Sequence, residues 1–191
     1  MIVSHNNLNA QSNVKPAEKI KRKYSFVLQL GGGYSTYTAG INIRPIGLPG
    51  SITRASASAT IRLMWYPDRR LKLGVESGYT NFYSYRILND NKPGKVILDA
   101  VPLLIVWSMP IVKRVNIYAG FGTYFLTTKL NYEGKVKSTA YVLGSNIALS
   151  YTKPISKTFA IAAEAKWMNA FETKDSELNL QVHMVWKFFQ W

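Results

Sequence analysis

Arg62, Lys72, Glu76, Asp99, Glu164 and Lys166 interrupt stretches of sequence that are otherwise apolar or built of Ser, Thr, Gly and Asn. Three bases against three acids is the stoichiometry of a closed ion-pair network. A buried unpaired ion costs several kcal/mol, whereas a well-bonded pair roughly breaks even, so a neutral set is what an enclosed space tolerates. Other chemistries fit less well. Activating a hydroxyl nucleophile needs a histidine held between a serine and an acid, and the chain offers only His5 and His183. His183 shares its strand face with Gln181 and Val185, belongs to no His-x-Ser pair, and reads as a hydrogen-bonded interior residue. No catalytic residue is assigned. Gly31, Gly32, Gly33 and Tyr34 lack the Gly-Lys-Ser/Thr ending of a phosphate loop, and glycine inside a strand serves curvature instead. There is no cysteine and no metal-ligand spacing, so neither cofactor nor metal is expected.

The elements that must position these charges are strands. From residue 24 onward, segments of ten to sixteen residues alternate with period two and end at polar or Gly/Pro breaks. Eight are predicted, at about 24–38, 54–66, 71–85, 96–111, 115–132, 139–153, 158–171 and 178–190. The breaks at 67–70, 112–115 and 153–157 are tight, and those around 39–53, 86–95, 133–138 and 172–177 read as longer loops. Eight antiparallel strands with short turns at one end and longer loops at the other predict an all-β, up-and-down transmembrane barrel. The longest apolar run, 100–107, is far too short for a membrane helix.

A soluble lipocalin-like barrel also has eight strands but turns its polar face to water. The composition of the two faces separates the alternatives. One carries Phe26, Leu28, Leu30, then Ala57, Ala59, Ile61, Leu63, Trp65, then Leu143, Ile147, Leu149, and holds no charge. The other carries Gln29, Gly31, Ser58, Thr60, Arg62, Glu76, Asn146, Glu164 and Lys166. A water-facing surface is densely charged, whereas this second face is small and polar, as suits a lumen filled by side chains. Aromatics at strand ends, Trp65, Tyr151, Trp186 and Phe188 at one end and Tyr79, Phe125 and Phe171 at the other, suit interfacial girdles. Registering 54–66 on 71–85 so that the faces match sets Arg62 opposite Glu76, Leu63 opposite Val75 and Trp65 opposite Leu73, within salt-bridge reach. The expected lumen network is therefore Arg62, Glu76, Lys72, Asp99, Glu164 and Lys166, with inward Gly74, Gly78, Gly120, Gly122 and Gly144 making room. A plugged lumen is the first reading, and a small ion or solute pore is the alternative.

The excess of 24 Lys and Arg over 10 Asp and Glu is unevenly placed. The short-turn end and the termini hold Lys15, Lys19, Lys21, Arg22, Lys23, Arg69, Arg70, Lys113, Arg114, Lys153, Lys157 and Lys187 against Glu18 and Asp68. Of these, Lys21, Arg22, Lys23, Arg69, Arg70, Lys113, Arg114, Lys153 and Lys157 are expected to form a basic periplasmic rim, each worth about 1 kcal/mol near an anionic surface. Its candidate partners are anionic phospholipid or an acidic periplasmic protein. Nucleic acid is disfavoured, because the bases gather at a rim and not on an aromatic-bearing sheet face. Residues 1–23 read as a polar basic tail, or as a remnant of a signal peptide, ahead of a barrel domain at 24–191.

At 101–125 the chain resembles the porin-family, PorT-like outer-membrane barrels of Bacteroidota. Pro102, Leu103 and Leu104 run to the basic turn Lys113 and Arg114, followed by Tyr118, Gly120 and Gly122. The motif likeness covers these 25 residues; elsewhere it is topological, toward the OmpA and OmpX type of small barrel. The resemblance implies an outer-membrane location, contact with membrane lipid and lipopolysaccharide, and service as a structural or accessory subunit of a larger secretion or uptake complex. A lipid A-modifying enzyme is the less favoured alternative. Leu180, Val182, Met184, Trp186 and Phe188 have the alternation of a barrel-assembly signal, although Phe189, Gln190 and Trp191 run on beyond it.

Overall fold

In the computed structural model the described residues are 24–39, 50–67, 71–89, 92–131 and 135–191. They form nine strands: β1 (Ser25–Tyr37), β2 (Gly50–Thr53), β3 (Ala55–Tyr66), β4 (Lys72–Asn89), β5 (Lys92–Val112), β6 (Val115–Asn131), β7 (Lys135–Pro154), β8 (Phe159–Ala170) and β9 (Asp175–Gln190). β2 and β3 pair with successive parts of β4 and together make one stave interrupted at Arg54. Each stave pairs antiparallel with its neighbour in sequence, and β1 pairs with both β3 and β9. The sheet therefore closes on itself as an eight-stave barrel. Closure removes the unpaired edges that an open sheet would expose.

Period-two alternation divides every stave between two environments. Outward positions are exposed and apolar, among them Leu63, Trp65, Val75, Ile105, Trp107, Ile147, Leu149, Leu180 and Val182. Inward positions are buried and largely polar, among them Gln29, Ser58, Thr60, Arg62, Glu76, Asn146, Glu164, Lys166, Asn179 and His183. That is the reverse of a water-soluble barrel. Aromatic rings gather at both ends of the apolar band: Tyr24 stacks on Trp65 and Phe159 on Trp186 at the turn end, and Phe121 meets Phe171 and Phe125 meets Tyr141 at the other.

The end expected to carry long loops carries strands instead. β4 and β5 stay paired out to Asn89 and Lys92, and β6 and β7 out to Asn131 and Lys135. The pairing of β7 with β8, by contrast, begins only at Gly144 and Ala170. Most of 86–95 and 133–138 is thus ladder, 172–177 holds a turn and the start of β9, and Gly50–Thr53 of the predicted 39–53 loop is strand. The physical cause is residue type: Tyr83, Tyr85, Val96 and Ile97 favour strand wherever a partner is present. A bulge between Asn81 and Tyr83 leaves Phe82 fully buried beside Tyr37, at 6.2 Å between rings.

The two ends of the described chain meet at the turn end, where the Tyr24 amide donates to the Trp191 carbonyl at 3.0 Å and the Trp191 amide to the Tyr24 carbonyl at 3.1 Å. A register shift pairs Val27 with Lys187 but Phe26 with Phe189. This bulge accounts for the residues that run past the alternating set, because it lets Phe188 and Phe189 both be exposed, with Trp191 stacked on Tyr24. β9 completes two ladders at once, so removal of residues 186–191 is expected to abolish barrel assembly. The check is heat-modifiable migration of the membrane fraction on a gel, and a normal folded band would show that the segment is dispensable.

Candidate functional site

The midsection of the lumen is an ionic lattice built from five staves. Arg62 on β3 donates from Nε to Glu76 Oε2 at 2.6 Å, from Nη1 to Gln29 Oε1 at 2.8 Å, and to both carboxylate oxygens of Glu164 at 2.9 Å. The two parallel bonds to Glu164 are the fork geometry that fits guanidinium to carboxylate. Lys166 Nζ donates to Glu76 Oε1 and to Thr60 Oγ1, both at 2.8 Å, and Asn146 Nδ2 adds a third bond to Glu76 at 2.8 Å. The Arg62 guanidinium also lies 4.2 Å from the centre of the Tyr118 ring, a cation–π contact strengthened by desolvation. Two bases and two acids, all buried, make the lattice neutral.

Local sequence explains how the lattice fits. His183 Nε2 stands 3.5 Å from Glu164 Oε1, and its ring lies against Gly31, where a β-carbon would overlap it. Gly144 likewise yields its side-chain space to the Tyr124 ring. Small residues on the inward face thus make room for long ones from the neighbouring stave. His183 is buried, beside the lattice and away from any exposed hydroxyl chemistry.

Four of the six residues expected in the network, Arg62, Glu76, Glu164 and Lys166, come together. Asp99 does not: it sits on the outer face, where it accepts from Tyr79 Oη at 2.7 Å and Asn81 Nδ2 at 3.0 Å and pairs with Lys129 at 2.7 Å. The reason is parity, since Val101, Leu103, Ile105 and Trp107 on the same face of β5 are all exposed. Lys72 points inward but at the turn-end mouth, one layer away from the lattice. Its partners are the Asn116 amide oxygen at 3.3 Å and the Tyr66 ring at 4.2 Å. Sequence reading missed Glu177, which it placed on a loop. The residue is fully buried in the lumen, bonded to Thr80 at 3.1 Å and Asn179 at 2.7 Å. The signal was available, for Glu177 has the parity of Asn179, Gln181 and His183.

Between lattice and mouth, Gln29 Nε2 bridges Tyr66 Oη at 3.3 Å and Tyr118 Oη at 3.1 Å. Beyond that bridge the lumen opens into a cavity of about 420 Å³ lined by Lys72, Lys113, Arg114, Lys157 and Lys187, among others. The expected rim is therefore divided. Lys113, Arg114 and Lys157 line the mouth, Lys153 is exposed with the outward parity of Tyr151, and Lys21, Arg22, Lys23, Arg69 and Arg70 lie outside the described residues. The assembly-signal residues Leu180, Val182, Met184, Trp186 and Phe188 are all exposed along β9. Among the described residues no group of three His, Cys, Asp or Glu side chains could hold a metal ion.

This architecture is an all-β, antiparallel, closed eight-stranded barrel of the kind found in outer-membrane barrel structures. Among solved structures, the chain is similar to Ail, the attachment invasion locus protein of Yersinia pestis, in complex with the heparin analogue sucrose octasulfate. That likeness has a TM-score of 0.51 at 8% identity over 87% of this chain and 99% of the other. Neisserial surface protein A gives a TM-score of 0.47 at 12% identity over 86% and 99%. The outer membrane protein OprG of Pseudomonas aeruginosa gives 0.47 at 10% over 86% and 96%. At such identities the likeness extends to the fold alone. No protein-family model and no curated protein matches the sequence.

The lattice predicts a specific pattern of coupling. Arg62→Met strands Glu76 and Glu164 with one remaining base and is expected to destabilise the barrel by about 3–5 kcal/mol. Adding Glu164→Gln restores neutrality and should recover part of that loss. Urea unfolding of the refolded variants in detergent micelles measures both, and strictly additive losses would mean that the pair is not coupled.

Proposed function

We propose that this chain is a non-enzymatic, integral barrel of the bacterial outer membrane, closed by its lumen lattice and serving as a structural or accessory subunit of a larger assembly. The observation that carries the reading is the inversion of the two faces: an uncharged apolar band outside and buried, paired ions inside. An arginine turned to the lipid midplane would cost about 2–4 kcal/mol, so Arg62 favours a lipid-facing exterior on the opposite parity. The termini and the basic turn end face the periplasm in this reading. There Lys113, Arg114, Lys153 and Lys157 sit within reach of anionic inner-leaflet headgroups. The accessory role within a secretion or uptake complex is favoured by the likeness of 101–125 to the porin-family, PorT-like barrels, whose motif residues occupy β5, the basic turn and β6.

Contact with lipopolysaccharide is supported at the other end. Above the apolar band, Arg86 stands directly opposite Lys95, and Lys137 opposite Lys129, whose one carboxylate partner is Asp99. Like charges opposed across a ladder are destabilising by themselves, and the phosphates of an anionic lipid relieve the repulsion. Lys129→Glu with Lys137→Glu is accordingly expected to reduce the lipopolysaccharide that co-purifies with the folded protein. An unchanged lipid content would remove this contact from the reading.

The closed lumen is tested by conductance in planar bilayers. The native chain should give no discrete steps, and Arg62→Ala with Glu164→Ala, which empties the middle of the lattice, should give small ones. Steps in the native chain that change ion selectivity in Glu76→Gln would establish the pore alternative instead.

A further inference from the structure

The turn-end cavity contains something the membrane role does not explain. Lys72 and Lys187 line its wall, Lys113, Arg114 and Lys157 stand at its opening, and no Asp or Glu is among its described lining residues. Lys72 makes one long bond to a neutral amide and rests on an aromatic face, an arrangement that satisfies a cation without neutralising it. Elsewhere in the lumen every buried base meets a carboxylate. A protein that pairs its inner bases so closely and leaves five converging here without an acid has a place for an anion supplied from outside.

We infer that this cavity is a binding site for a compact, phosphate-bearing anion. Three properties select that class. The Gln29, Tyr66 and Tyr118 bridge closes the inner end, so the occupant enters from the mouth and fits within about 420 Å³. Five cations call for a multiply charged group, and a dianionic phosphate concentrates that charge better than a single carboxylate. The lysines offer point charges, and Arg114 at the opening, whose Nη1 also reaches the outward Tyr151 Oη at 3.4 Å, offers the rest of a planar fork, the two ways in which proteins hold phosphate. Thr152, Ser156 and Thr158 also line the cavity and can donate hydroxyl bonds to the remaining oxygens. Residues 1–23 carry Lys15, Lys19, Lys21, Arg22 and Lys23 against Glu18, the wrong sign to fill the site. The phosphate can belong to a soluble molecule or to a lipid headgroup; the chemistry that recognises it is the same. The inference concerns binding at the mouth and does not depend on whether the lattice above it conducts.

The test is calorimetric titration of the full-length, refolded barrel in a non-ionic detergent, with inorganic pyrophosphate in one arm and monomeric dihexanoyl phosphatidic acid in the other. The expected result is saturable binding of at least one probe, weakened tenfold or more in Lys72→Gln with Lys187→Gln. Lys174→Gln, which removes an exposed charge from the opposite end, should leave the affinity unchanged. Preference for pyrophosphate would identify a soluble phosphate, and preference for the phosphatidic acid a lipid headgroup. The inference is overturned if neither probe binds up to millimolar concentration in a variant set that all shows heat-modifiable migration. It is equally overturned if Lys174→Gln weakens binding as much as the cavity pair does.

Discussion

A barrel that turns most of its large apolar side chains outward keeps a smaller apolar cluster inside, Met64, Leu104, Val106 and Met168 among it, and the ions buried beside that cluster must be paired there. Arg62 is the centre of that arrangement. Its guanidinium ties Glu76 on β4, Glu164 on β8 and Gln29 on β1, and Lys166 returns from Glu164's own strand to Glu76. Staves far apart around the circumference are thereby joined across the lumen. In low dielectric such a lattice is strong when complete and costly when broken, which makes it a device for specifying one closed register as much as a source of stability.

The lattice also organises what lies on either side of it. Toward the turn end, Tyr118 stacks beneath Arg62 and joins Gln29 and Tyr66, separating the neutral midsection from a mouth where only bases are found among the described lining charges. Toward the other end, Glu177 and Asp175 are held by neutral donors, Thr80, Asn179 and Tyr37. Within the lumen the described charges therefore run from bases at the mouth, through the neutral lattice, to two acids, while the outer face at that far end carries Arg86, Lys95, Lys129 and Lys137.

The ladder beyond the apolar band is the other organising feature. β4 to β7 run on past the level where β8 and β9 turn back, so the barrel is taller on one side. Asp99 marks the change of environment: its bonds to Tyr79, Asn81 and Lys129 begin the polar surface immediately above Val101. An acid on the outer face at that height is stable because Tyr79, Asn81 and Lys129 cover it and satisfy its charge.

How much of this was legible beforehand follows from which interactions are local. Period-two alternation, the uncharged face and the hairpin joining β3 to β4 are local, and together they determined the strand count, the inside and the outside, and the Arg62 to Glu76 opposition across a single turn. The pairing of Arg62 with Glu164 is not local. These residues lie 102 positions apart, and only closure of β1 on β9, with the shear that closure imposes, sets them at one height. Asp99 and Glu177 were misplaced for a smaller reason: charge balance drew Asp99 inside although its parity is that of outward Val101 and Leu103, and Glu177 was read as loop because the ladders that β1 and β8 offer to the start of β9 are not local. The extension of β4 to β7 depended on a neighbouring strand being present to accept the ladder, and the basic cavity on five residues from four separate stretches of chain meeting at one mouth. The sequence by itself determined that there would be a barrel with paired ions inside it, because backbone alternation and charge balance are one-dimensional properties. Which ions meet, and where a mouth of bases is left without acids among its described residues, was decided by tertiary closure, because height around a barrel exists only once the sheet has joined its own ends.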